Sequence, residues 1–378
     1  MGRARAAPAL TVKRQAARDS LGATRVRQGV ILAQLSGWVG EWNARWILPA
    51  AVIVSVELAF ALVAGAIVGF HYELAIEGYF WLGTMVGIAV GWSTTMLRVA
   101  AYPFMRVASP LAQLRADSAR YGGAIVAFWA GLTLLLMQIC LLNWVKSMIP
   151  LITSFWADPL IASLDRSILG ADAWVLLHAA FPHSARLFDW FYAIWVPCKF
   201  GTLLALILMP QSRTKALALL SYFLTVAIGI LIGQYMLPSA GPVFYARLGF
   251  GDDFAALPVA PFTQAGTDYL WDAYLRGAGK VGGGISAFPS IHVATSAWTA
   301  FVWTRWHWLA GLAGWFVAVM ICLATVYLGW HYAFDVVGGL ALALLAQGLA
   351  YWWVDRAVTA ANPRRFRILK AFARSSRA

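Results

Sequence analysis

Long runs without charge decide what this chain can become. Residues 47–69, 79–97, 123–145, 186–209, 216–237, 289–303, 309–329 and 333–353 carry almost no Asp, Glu, Lys or Arg. Most reach the roughly 20 residues that cross about 30 Å of hydrocarbon. Such a segment has no water to bond, so its backbone groups must pair internally, as a helix does. The expected fold is therefore all-α, a polytopic bundle of about eight transmembrane helices. The composition agrees, at 61% hydrophobic and 12% charged over 378 residues, where soluble chains are nearer a quarter charged. Twenty tryptophans fit the membrane–water interface.

The formal charge of +13 suggests nucleic acid until its placement is considered. With the N-terminus inside, 22 basic residues fall in inner segments and six in outer ones. That asymmetry is the positive-inside pattern, and it predicts both termini in the cytoplasm. The basic tails then face anionic lipid headgroups, and nucleic acid is not an expected partner. Cys140, Cys198 and Cys322 all fall inside apolar runs with no metal-ligand spacing, so neither a disulfide framework nor a metal is expected. The first 25 residues lack an apolar stretch, which argues against a cleavable secretory signal. High Arg, Ala and Trp content fits a bacterial inner membrane.

Four regions follow. Residues 1–46 read as a basic cytoplasmic tail and an interfacial helix with Trp38, Trp42 and Trp46, and 47–122 as a transmembrane hairpin with its cytoplasmic loop. Residues 123–355 form a six-helix core, and 356–378 a second basic tail. Two long outer segments, 146–185 and 238–288, are rich in aromatics and are expected to cap the outer face. Glu57 and Lys199 both fall inside spans, where an unpaired charge is costly, and this predicts an ion pair between them.

The chemistry gathers late in the chain. Span six begins near His292 and span eight near His331, with one return crossing between them. Both histidines therefore reach the outer face on neighbouring helices. Pro289 suits a first helical turn, whose unpaired N–H groups and dipole make an anion site, and Ser290 would point into it. Asp335 follows His331 by four residues and shares its helix face. A carboxylate there fixes the imidazole tautomer and frees the other nitrogen as nucleophile or base. These are parts for phosphoryl transfer through a phosphohistidine, without a cofactor.

The same residues carry a family resemblance. Pro289-Ser290-Ile291-His292 resembles the PSGH motif of the type 2 phosphatidic acid phosphatase superfamily, and His331 with Asp335 matches the end of its SRxxxxxHxxxD motif. The resemblance implies a lipid phosphatase or phosphotransferase with His292 as acid, His331 as nucleophile, Asp335 as its partner and Ser290 on phosphate. The family's arginine falls on Thr325, and Gln234 through Gly241-Pro242 is the best counterpart of its KxxxxxxRP motif, without either cation. Lys146, Arg247, Arg276 and Lys280 are the outer-side cations available to replace them. Lys146 and then Arg247 are the candidates for phosphate, Lys146 favoured because it sits at the end of a span. Tyr327-Leu328-Gly329-Trp330-His331-Tyr332-Ala333-Phe334-Asp335 with Gly338-Gly339 is most similar to the inositol phosphorylceramide synthase branch. The implied substrate is a membrane lipid: a phospholipid, an isoprenoid phosphate or a sphingolipid-like molecule. Two rival readings are a lipid carrier that kept the fold without the activity, and a metal-dependent hydrolase using His292, His331 and Asp335 as ligands.

Overall fold

The computed structural model describes residues 31, 34–70, 75–258, 260–277 and 283–361. His71, Lys280, Gly282 and most of both basic tails lie outside them. Among the described residues the structure is helical, without strands. A helical stretch at 34–39 leads through Gly40 into α1 (Glu41–Val68). Next come α2 (Ala75–Ala101), α3 (Pro110–Ile152), α4 (Ala157–Leu169), α5 (Ala173–Ala180) and α6 (Ala185–Leu208). α7 (Arg213–Ile228) runs on to Met236 through a π-helical turn at Gly229–Gly233. Finally α8 (Pro261–Leu275), α9 (Ile291–Trp306), α10 (Trp308–Tyr327) and α11 (Ala333–Ala361) complete the chain.

Eight of these helices fall on the eight apolar runs, and six are long and apolar enough to cross a membrane. This is an integral membrane protein. α2 and α9 are not among the six, and α9 has only 16 residues. α3 overshoots its run at both ends because polar flanks such as Gln113 and Asp117 extend it toward Pro110.

α7 is the axis of the bundle. Its apolar window is 72% buried, against 22–39% for the other five. Small and apolar residues all round it (Ala216, Ala218, Leu219, Phe223) meet neighbours on every side, as expected of a helix without a polar face. It packs on α1, α9 and α11, while α9 and α10 form a tight hairpin and α2 packs chiefly on α3. The π turn brings Gly229 and Gly233 against Ile291 and Pro289, where a Cβ would overlap both side chains. Those two glycines let α9 begin close to the axis.

The predicted Glu57–Lys199 pair does not form. Gln138 Nε2 donates to Glu57 at 3.0 Å, while the Lys199 ammonium lies 3.7 Å from the Trp195 ring centroid and 4.4 Å from that of Phe200. Equal depth was the premise of that expectation, but α1 and α6 sit on different sides of the bundle, and α1 packs on α3 and α7 instead. A neutral amide and two aromatic faces accommodate these groups in place of each other.

The described residues of 153–185 and 238–288 form a cap at one end of the bundle, built from α4, α5, α8 and the loops beside them. α4 is amphipathic and turns Asp158, Ile161, Ala162 and Asp165 inward. Its carboxylates bond backbone rather than cations. Asp158 accepts from Ala240 N, Gly241 N and the Tyr332 hydroxyl at 2.7–2.8 Å. Asp165 accepts from Ala333 N and Phe334 N at 2.7 and 3.0 Å. Asp189, on α6, accepts from Phe262 N, Thr263 N and the Thr263 hydroxyl. Loops that would otherwise bury unpaired N–H groups are thereby held at fixed points.

Candidate active site

The start of α9 and the start of α11 meet beneath this cap. Ser290 N donates to Asp335 O at 3.1 Å, and a Cβ on Gly339 would lie 2.6 Å from Ser290 O. Only glycine permits that approach. On the other flank, Gly241 has φ +100°, and its Cβ position is 2.4 Å from Trp330 O. The 238–242 segment also takes Ala287 N on Ser239 O and Phe288 N on Ser239 Oγ. One loop thus ties the approach to α9 to the approach to α11.

His292 and His331 come together as the topology required. His331 Nε2 lies 3.4 Å from His292 Nδ1. His331 Nδ1 lies 3.4 Å from Asp335 Oδ2, ion-pair range but outside hydrogen-bond geometry. Tyr192 OH lies 2.9 Å from His292 Nε2. One proton assignment suits the whole series. Tyr192 donates to His292 Nε2, the proton on His292 Nδ1 faces His331 Nε2, and the proton on His331 Nδ1 faces Asp335. His331 Nε2 is then a lone pair aimed at a proton donor. His331 is 3% exposed and Asp335 0%. Asp335 Oδ2 also accepts from Tyr332 N at 3.0 Å.

Ser290 is the N-cap of α9 and its hydroxyl oxygen accepts from Val293 N at 3.2 Å. The helix therefore begins one residue after Ser290, and Pro289 precedes it rather than occupying the first turn. The hydroxyl proton remains available as a donor.

The sequence singled out Lys146 and Arg247 as cations, and they part company. Arg247 bonds Asp268 at 2.8 Å on the surface of the cap and lies over Trp271. Lys146 lies on α3 under the glycine run, with Gly284 packed so tightly that a Cβ would approach Lys146 Cβ to 2.5 Å. Lys199 joins it: each ammonium is in electrostatic range of the other's neighbourhood and of His292. Neither lysine forms an ion pair among the described residues.

Sequence reasoning missed Tyr192 and Trp195 and misjudged Lys199. All three lie on one face of α6 at spacings of three and four. The Trp195 ring is 4.3 Å from that of His292, and its Nε1 donates to Thr295 Oγ1 at 2.8 Å. Tyr192 stacks on Trp330 at 5.3 Å. The signal was there, a polar stripe at helical spacing on an otherwise apolar helix. Among the other histidines, His178 bonds Tyr327 O and His307 Nδ1 accepts from Leu309 N.

Asp158 and Asp165 support the site from behind. Burial pushes the Asp158 carboxyl up to about 6, against three donors that pull it down. Burial likewise raises Asp165. Among the described residues, no three His, Cys, Asp or Glu side chains are grouped to hold a metal ion. A family model described as PAP2 superfamily matches residues 160–349, half of the chain. No curated protein and no solved structure matches.

Proposed function

Because the chain belongs to the PAP2 superfamily, we propose that it is a lipid phosphatase or phosphotransferase working through a phosphohistidine on His331. The observation that carries this reading is the Tyr192–His292–His331–Asp335 series of contacts, in which His331 with its Nδ1 proton toward Asp335 would present the Nε2 lone pair. In-line displacement needs nucleophile and leaving group on opposite sides of phosphorus. The phosphoryl group therefore enters between the two rings, which part to admit it. His331 Nε2 forms the N–P bond and the P–O bond to the leaving alcohol breaks. His292, taken to the imidazolium when the phosphoryl anion binds beside it, gives that oxygen its Nδ1 proton and returns to the neutral ring. Asp335 stabilises the imidazolium character that develops on His331. Water or an alcohol then attacks phosphorus, loses its proton to His292, and frees His331.

Charge on the phosphoryl oxygens is met by Lys146 and Lys199, by the Ser290 hydroxyl, and by the first N–H groups of α9. The two lysines take the place of the arginines that the family motifs carry at positions here filled by Thr325 and Gly241. Arg247, bonded to Asp268, is an outer-surface residue in this reading. The likeness of 327–339 to the inositol phosphorylceramide synthases favours transfer to an alcohol over hydrolysis, with a lipid phosphate or phospho-headgroup as donor. The bias in basic residues supports a cytoplasmic location for both termini and an outer-face site in an inner membrane.

The test is a product assay with phosphate-labelled lipid and purified protein, with and without inositol. A labelled inositol product supports transferase chemistry, and free phosphate alone supports a hydrolase. His331→Ala is expected to lose both, with vanadate but not chelators inhibiting the wild type. Full turnover in His331→Ala would refute the mechanism.

A further inference from the structure

At the end of the bundle far from the histidines lies a cavity of about 970 Å³. Its walls are residues 88–98 of α2, 114–129 of α3, the chain around Gly40, and the turn between α6 and α7 at 207–215. Most of this wall precedes the family match, which begins at residue 160. α2 leans on α3 and leaves a crevice between itself and the rest of the bundle.

The lining has two chemistries. Trp38, Trp92, Phe128 and Trp129 supply broad aromatic surface. Arg98, Arg120 and Lys215 line it as well, against the single carboxylate of Asp117. Asp117 is already bonded by Arg98 at 2.7 Å, Tyr102 at 3.1 Å and Gln113 at 2.9 Å. Lys215 is only 4% exposed. It gives two protons to Ile207 O and Met209 O at 2.8 Å each and has no carboxylate partner among the described residues. An ammonium has three donors, so one remains for a ligand. Arg120 lies exposed beside Tyr121.

We propose that this cavity binds a membrane phospholipid with an anionic headgroup, one acyl chain between the tryptophans and its phosphate against Lys215 and Arg120. The volume is that of a ligand site. A soluble anion would use the cations and leave the aromatic walls bare, whereas a lipid uses both. A neutral lipid would leave the excess of positive charge unanswered, and buried charge without a counter-ion is costly. The bound lipid would join the α1–α2 hairpin to the α6–α7 turn. This site is independent of the reaction at His331.

Gly91 offers a clean test. It lines the cavity, and a Cβ there meets nothing within 4 Å. Gly91→Leu therefore fills the space while improving helix propensity, and Arg120→Ala removes an exposed cation without touching the core. Thermal melts of the purified full chain in neutral detergent would compare added phosphatidylglycerol, phosphatidylcholine and inorganic phosphate. Phosphatidylglycerol is expected to raise the Tm by about 3 °C or more, with phosphatidylcholine and inorganic phosphate giving less than a third of that shift. Gly91→Leu should abolish the shift and Arg120→Ala should at least halve it. An equal response to phosphatidylcholine, an equal response to inorganic phosphate alone, or a full phosphatidylglycerol shift in both variants would each overturn the proposal.

Discussion

The two ends of this bundle treat charge in opposite ways. Away from the histidines, arginines and carboxylates pair: Arg98 with Asp117, Arg45 with Glu41, Arg213 with Asp355. Only the buried Lys215, among the cations discussed there, turns to backbone carbonyls instead. At the histidine end, the buried carboxylates of Asp158, Asp165 and Asp189 are taken up by backbone N–H groups and hydroxyls, and the ion pairs of Arg166, Arg247 and Arg276 stay on the surface. The consequence is separation. Carboxylates hold loops in place, and among the described residues Lys146 and Lys199 remain without acid partners beside His292. A phosphate site needs this arrangement, because a lysine already paired inside the protein gains little from a second anion.

The largest effect that tests the contrast is at the reacting centre. His331→Ala is expected to lower kcat by about 10³-fold or more, measured as phosphate or headgroup release. A loss under tenfold would remove the reacting role from this end altogether. Next comes the pH response of the cap. Asp158 holds its proton more tightly when folded than unfolded, so it stabilises the fold below pH about 4, and this is lost as pH rises through about 6. The loss is on the order of 3 kcal/mol. Melts of wild type between pH 4 and 7 should show that slope, and Asp158→Asn should flatten it. An unchanged slope would mean that Asp158 is not the titrating group.

Asp165→Ala strips two N–H groups at the start of α11 of their acceptor, a cost of about 2 kcal/mol. Asp355→Ala, in a pair whose side chains are both 46% exposed, should cost under about 0.5 kcal/mol. Equal losses in denaturant or thermal melts would erase the distinction between the two ends. For Lys199→Met, kcat/KM is expected to fall about 10- to 100-fold, partly restored in Lys199→Arg. A merely structural lysine would show lower stability in both variants with no change in kcat/KM of the folded fraction.

Much of this was legible beforehand. Eight charge-poor runs became eight helices, because internal pairing of the backbone leaves apolar segments no alternative. The meeting of His292 with His331 followed from topology, since a hairpin returns the chain to the face it left. What the sequence concealed was azimuth. A charge at a given depth on α1 can face any direction, and so Glu57 met Gln138 while Lys199 turned toward Trp195. The cap was anticipated in outline, but not its fastening. Asp158 and Asp165 stand seven residues apart on an amphipathic helix, a spacing that places them on one face, and nothing in the sequence specifies that backbone amides more than 80 residues away will be their partners.

α9 and α10 together act as a gauge. α9 has 16 residues and α10 has 20, so the hairpin climbs further than it descends, and residues 328–332 absorb the difference before α11 begins. The height of His292 relative to His331 is thus set by counting residues around one bend. Four residues added within α9 would move His292 along the axis by about 6 Å, enough to break the 3.4 Å approach of its Nδ1 to His331 Nε2. Length variation, freely tolerated in many surface loops, is forbidden in this stretch of membrane helix.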